Sequence, residues 1–182
     1  MKKINKHLVV LVLIGLVSIG CVFASKNTVN IQFFPAAYQQ VRFENDKKTF
    51  DATGFGAKVG YRYNLTDNSS TGISVSVDEF KFSEDKYFVY SLMAEVGTSL
   101  KFLDTFSLNF DLGLGADYRV FRGCEHFYPA GSLYFGLGIT ASESLDFTIG
   151  SEFRICDQYS DVLDYCSTDI NWFYSMGLRV NL

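Results

Sequence analysis

The chain ends on an alternation. Ile170, Trp172, Tyr174, Met176, Leu178, Val180 and Leu182 are apolar, and between them stand Asn171, Phe173, Ser175, Gly177, Arg179 and Asn181. Successive side chains of a strand point to opposite faces, so this stretch predicts a strand with one apolar face and one mainly small or polar face. The pattern recurs in residues 28–35, 54–65, 72–82, 86–100, 106–120, 133–139 and 145–155, which gives eight segments. The fifth is the clearest: Phe106, Leu108, Phe110, Leu112, Leu114, Ala116, Tyr118 and Val120 hold one face without a break. In the third, Ile73, Val75 and Val77 alternate, but Phe80 and Phe82 fall out of phase, which predicts a bulge.

The connections alternate too. Residues 66–71, 101–105 and 141–144 are short, and Asn68, Ser69 and Ser70 carry turn chemistry. The other set is 36–53, 83–85, 122–130 and 157–169, three of them long. This rhythm predicts an all-β, eight-stranded antiparallel up-and-down barrel, with both termini at the short-turn end.

Two features choose the orientation of the faces. Many segments reach the roughly 9–11 residues that a tilted membrane strand needs. The non-apolar face is also small: Ser107, Asn109, Asp111, Gly113, Gly115, Asp117 and Arg119 in the fifth segment, where a solvated exterior would carry more Lys and Glu. The expectation is therefore a transmembrane barrel with a narrow polar lumen. The rival is a soluble exported barrel that encloses a ligand.

Composition sharpens this picture. The chain is 48% hydrophobic, with 18 Phe and 11 Tyr to favour strands and only two Pro to interrupt them. At the N-terminus, Lys2, Lys3 and Lys6 precede an apolar run over residues 8–19, and Val22 and Ala24 fit a cut before Ser25. Residues 1–24 are expected to be a signal peptide and 25–182 an outer-membrane barrel domain. Processing as a lipoprotein at Cys21 is the other option. Residues 1–24 hold three Lys and no acid, so the remainder has 13 basic and 20 acidic groups, a net charge of −7. That balance argues against nucleic acid as a partner.

Three cysteines follow the signal, and three cannot all pair within one chain. Cys156 and Cys166 flank one predicted loop and are the expected disulfide. Cys124 is then free. The alternatives are that Cys124 pairs with one of the two, or that none is bridged.

On strand count, turn rhythm and the C-terminal strand, residues 25–182 resemble the small eight-stranded outer-membrane barrels, the group that includes the OmpA membrane domain, OmpX and OmpW. Members of that group finish on an aromatic residue, usually Phe, which the barrel-assembly machinery reads. This chain has Leu182 there, with Trp172 and Tyr174 on the matching face. The resemblance implies location in the cell outer membrane, with outer-membrane lipid and the assembly machinery as partners.

On the predicted inner face stand Lys58, Arg62, Asp78, Glu95, Asp111, Asp117, Arg119, Glu152, Arg154 and Arg179. Enclosed charges need partners, so these are expected to form an ion-pair network that holds the lumen shut; a gated ion path is the alternative. Tyr61, Tyr63, Phe88, Tyr90, Tyr118, Trp172 and Tyr174 fall near segment ends on the apolar face, where membrane barrels gather interfacial aromatics. Asp157, Asp161, Asp164 and Asp169 lack the spacing of a Ca²⁺ loop and are expected to be a solvated acidic loop. Cys124, Glu125 and His126 are adjacent loop residues with no recognisable nucleophile or metal motif, and His126 is the only histidine after the signal. No catalytic residue, metal site or cofactor is expected. The expected role is structural or adhesin-like, through outer loops at 42–49 and 156–166 that contact host or environmental ligands. The alternatives are a narrow channel for small solutes and a lipid-modifying enzyme.

Overall fold

The structure is a computed structural model, and it describes residues 27–43, 49–82, 85–121, 124–160 and 165–182. The signal-peptide reading falls on residues outside these. Eight strands form one closed antiparallel barrel in chain order: β1 (Asn27–Phe43), β2 (Thr49–Asn64), β3 (Ser69–Phe82), β4 (Asp85–Leu103), β5 (Phe106–Phe121), β6 (Cys124–Ser142), β7 (Leu145–Ser160) and β8 (Tyr165–Asn181). Pairing of β1 with β8, from Thr28↔Asn181 to Phe43↔Ser167, closes the ring, so no strand edge is left along the body of the barrel.

The short turns are where they were expected. Between β2 and β3, Thr66 Oγ1 accepts hydrogen bonds from the backbone N–H of Asn68 (3.2 Å) and Ser69 (3.0 Å), which fixes the tight reversal. The opposite end differs from the sequence reading. Strands continue through most of the segments taken as long loops, and what separates β1 from β2, β3 from β4, β5 from β6 and β7 from β8 is residues 44–48, 83–84, 122–123 and 161–164, all outside the described residues. The proposed loops 42–49 and 156–166 are thus largely strand. Cys124, Glu125 and His126 lie in β6 and not in a loop. Polar residues and Pro129 hid these extensions, because beyond the membrane both strand faces meet water and alternation fades. A 19-residue strand such as β4 or β6 is about 60 Å long, and even tilted it outreaches an apolar band of about 25 Å.

The predicted bulge is in a different strand. β3 runs in continuous register from Ser69 to Phe82, and Phe80 points inward. Besides shifts next to the short turns in β4 and β6, the irregularity is in β1, where register shifts between Phe33 and Ala37 on both sides. Pro35 has no N–H for the ladder, and the extra residue flips the alternation. Gln32 and Phe34 face inward before it, Ala37 and Gln39 after it, while Pro35 and Ala36 both face out.

The core of this barrel is polar and its surface is apolar. Leu114 is 76% exposed, Phe127 74% and Leu112 60%, whereas Arg154, Asp78, Asp117 and Asn171 are fully buried. A water-soluble barrel would invert that distribution; an exterior of this kind has hydrocarbon as its solvent.

Candidate functional site

The lumen is the site that the fold builds. Strand alternation delivers every one of the ten predicted inner-face charges to it, and nine of them form ion pairs. Beginning near the short-turn end, Arg62 bridges Asp111 (2.5 Å) and Glu95 (2.7 Å). Lys58 links Glu95 (3.2 Å) to Glu152. Arg154 continues from Glu152 (2.9 Å) to Asp78 (2.7 Å) and donates to Ser91 Oγ (2.8 Å), whose hydroxyl donates to Asp117 (2.7 Å). Arg119 joins Asp117 (3.4 Å) to Asp169, which also accepts from Gln39 Nε2 (3.0 Å). Anion and cation alternate along the whole series, so each buried charge has an opposite one within contact. Ser74 Oγ adds a hydrogen bond to Glu95 (2.7 Å).

Arg179 is the exception. Its Nη1 donates to Asn109 Oδ1 (2.8 Å) and its Nε to Asn30 Oδ1 (3.3 Å), and both acceptors are neutral amides. It stands in a vestibule of about 880 Å³ at the short-turn end, with Thr28, Asn64, Asp111, Asp146 and Asn181 among its walls. Arg62 and Asp111, themselves an ion pair, also line that space.

Farther in, an apolar cluster joins the network. Phe34, Phe80 and Phe173 are fully buried and pack with Ala37, Ala52, Val89 and Tyr87. The Phe34 and Phe173 rings lie 4.8 Å apart, Phe80 and Phe173 6.0 Å, Phe80 and Tyr87 5.4 Å. Arg154 ties the two systems together, its guanidinium 4.7 Å from the Phe173 ring centre. On the facing wall, Met93, Ala130 and Cys156 pack with Tyr128, over whose ring Arg119 sits at 5.9 Å. An eight-stranded interior is only wide enough for side chains, and here they occupy it.

The sequence reading missed part of this set. Asp169 was assigned to a solvated loop, but it is a fully buried member of the network on β8. Asp161 and Asp164 lie outside the described residues. The phenyl cluster was also missed, although it carries a signal: Phe34, Phe80, Val89 and Phe173 are apolar residues in the polar phase of their strands. The expected Cys156–Cys166 bridge is not formed. Cys156 is a buried free thiol; it is in register with Asp169, whereas Cys166 is in register with Tyr159. Three register steps exceed the span of a disulfide. The side chains of Cys124, His126 and Cys166 are outside the described residues. Among the described residues, no group of three metal-binding side chains occurs.

Outside, the predicted aromatics stand on the lipid face at two levels. Tyr61 and Tyr63 lie toward the short turns. Tyr90 meets Tyr118 (6.1 Å), Tyr118 meets Phe127 (4.8 Å), and Trp172 contacts Phe153 (4.8 Å) and Tyr174 (5.6 Å) toward the other end, where Phe88 joins them.

No protein-family model matches the chain, and no curated protein does. Solved structures do. Neisserial surface protein A superposes with a TM-score of 0.62 at 15% identity, over 87% of this chain and 98% of that one. The fold is that of the small eight-stranded outer-membrane barrels. The attachment invasion locus protein Ail of Yersinia pestis matches at 0.49 and 18% identity, over 86% of this chain and 99% of its own. The outer membrane protein OprG of Pseudomonas aeruginosa matches at 0.48 and 10%, over 87% and 97%.

Proposed function

We propose that this chain is an integral outer-membrane protein whose lumen is a structural plug, and that it acts at its loop end as a surface-interaction or adhesin-like protein. The observation that carries this reading is the filled cross-section at mid-lumen. Arg154, Phe34, Phe80 and Phe173 are all inaccessible to solvent, and Glu152 is 1% exposed. Charges held in pairs and phenyl rings packed against one another fill that section, which supports a lumen closed to ions. The strand ends that outreach the apolar band then supply a rigid stalk for residues that meet the outside.

Residues 1–24 as an export signal, and recognition of β8 by the assembly machinery, belong to the same reading. The outward row Trp172, Tyr174, Met176, Leu178 and Val180 supports the second. The proposed role is non-enzymatic: none of the buried network groups is paired with a nucleophile open to substrate. The vestibule is the one feature that favours a narrow channel, and it leads to the Arg62–Asp111–Glu95 cluster.

The test is to bind cells or vesicles displaying the barrel to host-cell surfaces, before and after residues 44–48 and 161–164 are each replaced by a short Gly-Ser turn. Loss of binding with an unchanged folded-state gel shift supports the surface role. Unchanged binding after both replacements refutes it.

A further inference from the structure

Most of the cations whose side chains are described face inward. Among residues whose side chains are described, only Lys81 and Lys86 are outward-facing cations toward the loop end. They are also direct cross-strand partners, Lys81 on β3 opposite Lys86 on β4. Partners of this kind have Cβ atoms about 5 Å apart, and two like charges so placed repel. The barrel surface offers many neutral positions, yet these two lysines share one rung.

The surroundings say what that rung suits. Thr53 of β2 is next in the same row. One row nearer the membrane centre, about 7 Å along the strands, stand Phe55, Glu79 and Phe88, and below them Ala57, Val77 and Tyr90. Phe55 is 56% exposed, and Phe88 and Tyr90 belong to the upper aromatic level. The lysines thus sit just above the aromatics that mark the lipid interface, at headgroup depth, over a apolar strip long enough for an acyl chain. Glu79 holds one Lys86 hydrogen bond (2.5 Å), yet Lys86 stays 59% exposed and the cluster keeps one net positive charge.

We infer that Lys81 and Lys86 form a binding site for the phosphate of an anionic lipid headgroup, with Thr53 as a neutral neighbour and Phe55, Phe88 and Tyr90 as the bed for its acyl chain. The phosphate relieves the repulsion between the two ammonium groups. Glu79 opposes binding and holds Lys86 in place when the site is empty. The site rests on the membrane reading alone; it does not need the surface-interaction role or the plugged lumen.

The test is native mass spectrometry of the refolded full-length barrel in neutral detergent, titrated with diphosphoryl lipid A, with phosphatidylcholine and with inorganic phosphate. Lipid A is expected to be retained, and the other two are not. An anionic surface attracts each nearby lysine enough to give roughly fivefold in affinity, so K81Q/K86Q is expected to lose about twentyfold. E79Q is expected to retain more lipid A than the unmodified chain. K101Q, at the opposite end, is the control and is expected to change nothing. Folding of each variant is checked by its unboiled gel shift, and single K81Q and K86Q variants replace the double one if it fails to fold. Equal retention by the lysine variants, equal retention of phosphatidylcholine, or an equal loss in K101Q overturns the site; retention of inorganic phosphate at the same strength overturns its assignment to lipid.

Discussion

Two cross-sections of one lumen behave in opposite ways. Near the short turns the polar face carries Ser107, Asn109, Asn64, Thr28 and Arg179, and it leaves a vestibule of about 880 Å³. At mid-height the same wall, with the same strand number, carries Lys58, Glu152, Arg154, Phe34, Phe80 and Phe173, all of them buried. The same eight strands build both sections, with the β1 bulge beside Phe34 in the second. Side-chain size at alternate positions decides whether the barrel is open, and the pairing of charges decides whether the closed part is stable. Arg179, which meets only neutral amides, marks the open section; Arg154, which meets two carboxylates and a phenyl ring, marks the closed one.

The comparison can be broken most sharply at Arg154. Arg154→Ala leaves Asp78 buried without its cation, takes one of two cations from Glu152 and removes the support of Phe173. It is expected to cost about 3–5 kcal/mol, read from urea unfolding of the barrel in lipid vesicles. Arg179→Ala, in the wet section, is expected to cost under half as much in the same assay. Phe173→Ala comes next, at roughly 3–4 kcal/mol for a phenyl ring deleted from a filled cluster. The triple variant F34A/F80A/F173A, if the plug reading holds, gives discrete ion conductance.

A smaller effect is expected at Gly97. A methyl group there would stand 2.3 Å from Asp111 Oδ1 and 2.9 Å from Arg62 Nη1, so Gly97→Ala must displace that ion pair. Overpacking of this kind costs about 1–3 kcal/mol. The smallest effect is at Cys156. Its thiol is buried and unbridged, so maleimide is expected to label it only after unfolding, with no change in gel mobility on reduction. A mobility shift on reduction that Cys156→Ala abolishes would contradict the register of β7 and β8.

Much of this was legible in the sequence. Alternation gave the strands inside the membrane and the inward charges, because lipid outside and enclosed charge inside impose opposite demands on neighbouring residues. It failed where one of those demands lapsed. Beyond the bilayer both faces meet water, so residues 124–130 of β6 read as a loop. The bulge at Pro35 and Ala36 shifts the phase of β1, so Ala37 and Gln39 were not assigned to the lumen. Phe80 and Phe173 were legible as exceptions, yet an out-of-phase apolar residue in a polar barrel face signals a plug and not a bulge. Asp169 directly precedes Ile170, in the polar phase of the last strand, but it read as the end of an acidic loop, and the partner that buries it, Arg119, is 50 residues away.

The central claim is that the lumen is shut by its own side chains. Single-channel recording of the refolded barrel in a planar bilayer tests it most directly, with the unboiled gel shift as proof of folding. A silent folded protein, and discrete steps from F34A/F80A/F173A, are the predicted result. Reproducible steps from the unmodified chain, altered in size when Arg119 or Arg154 is neutralised, would show an ion path through the network and contradict it.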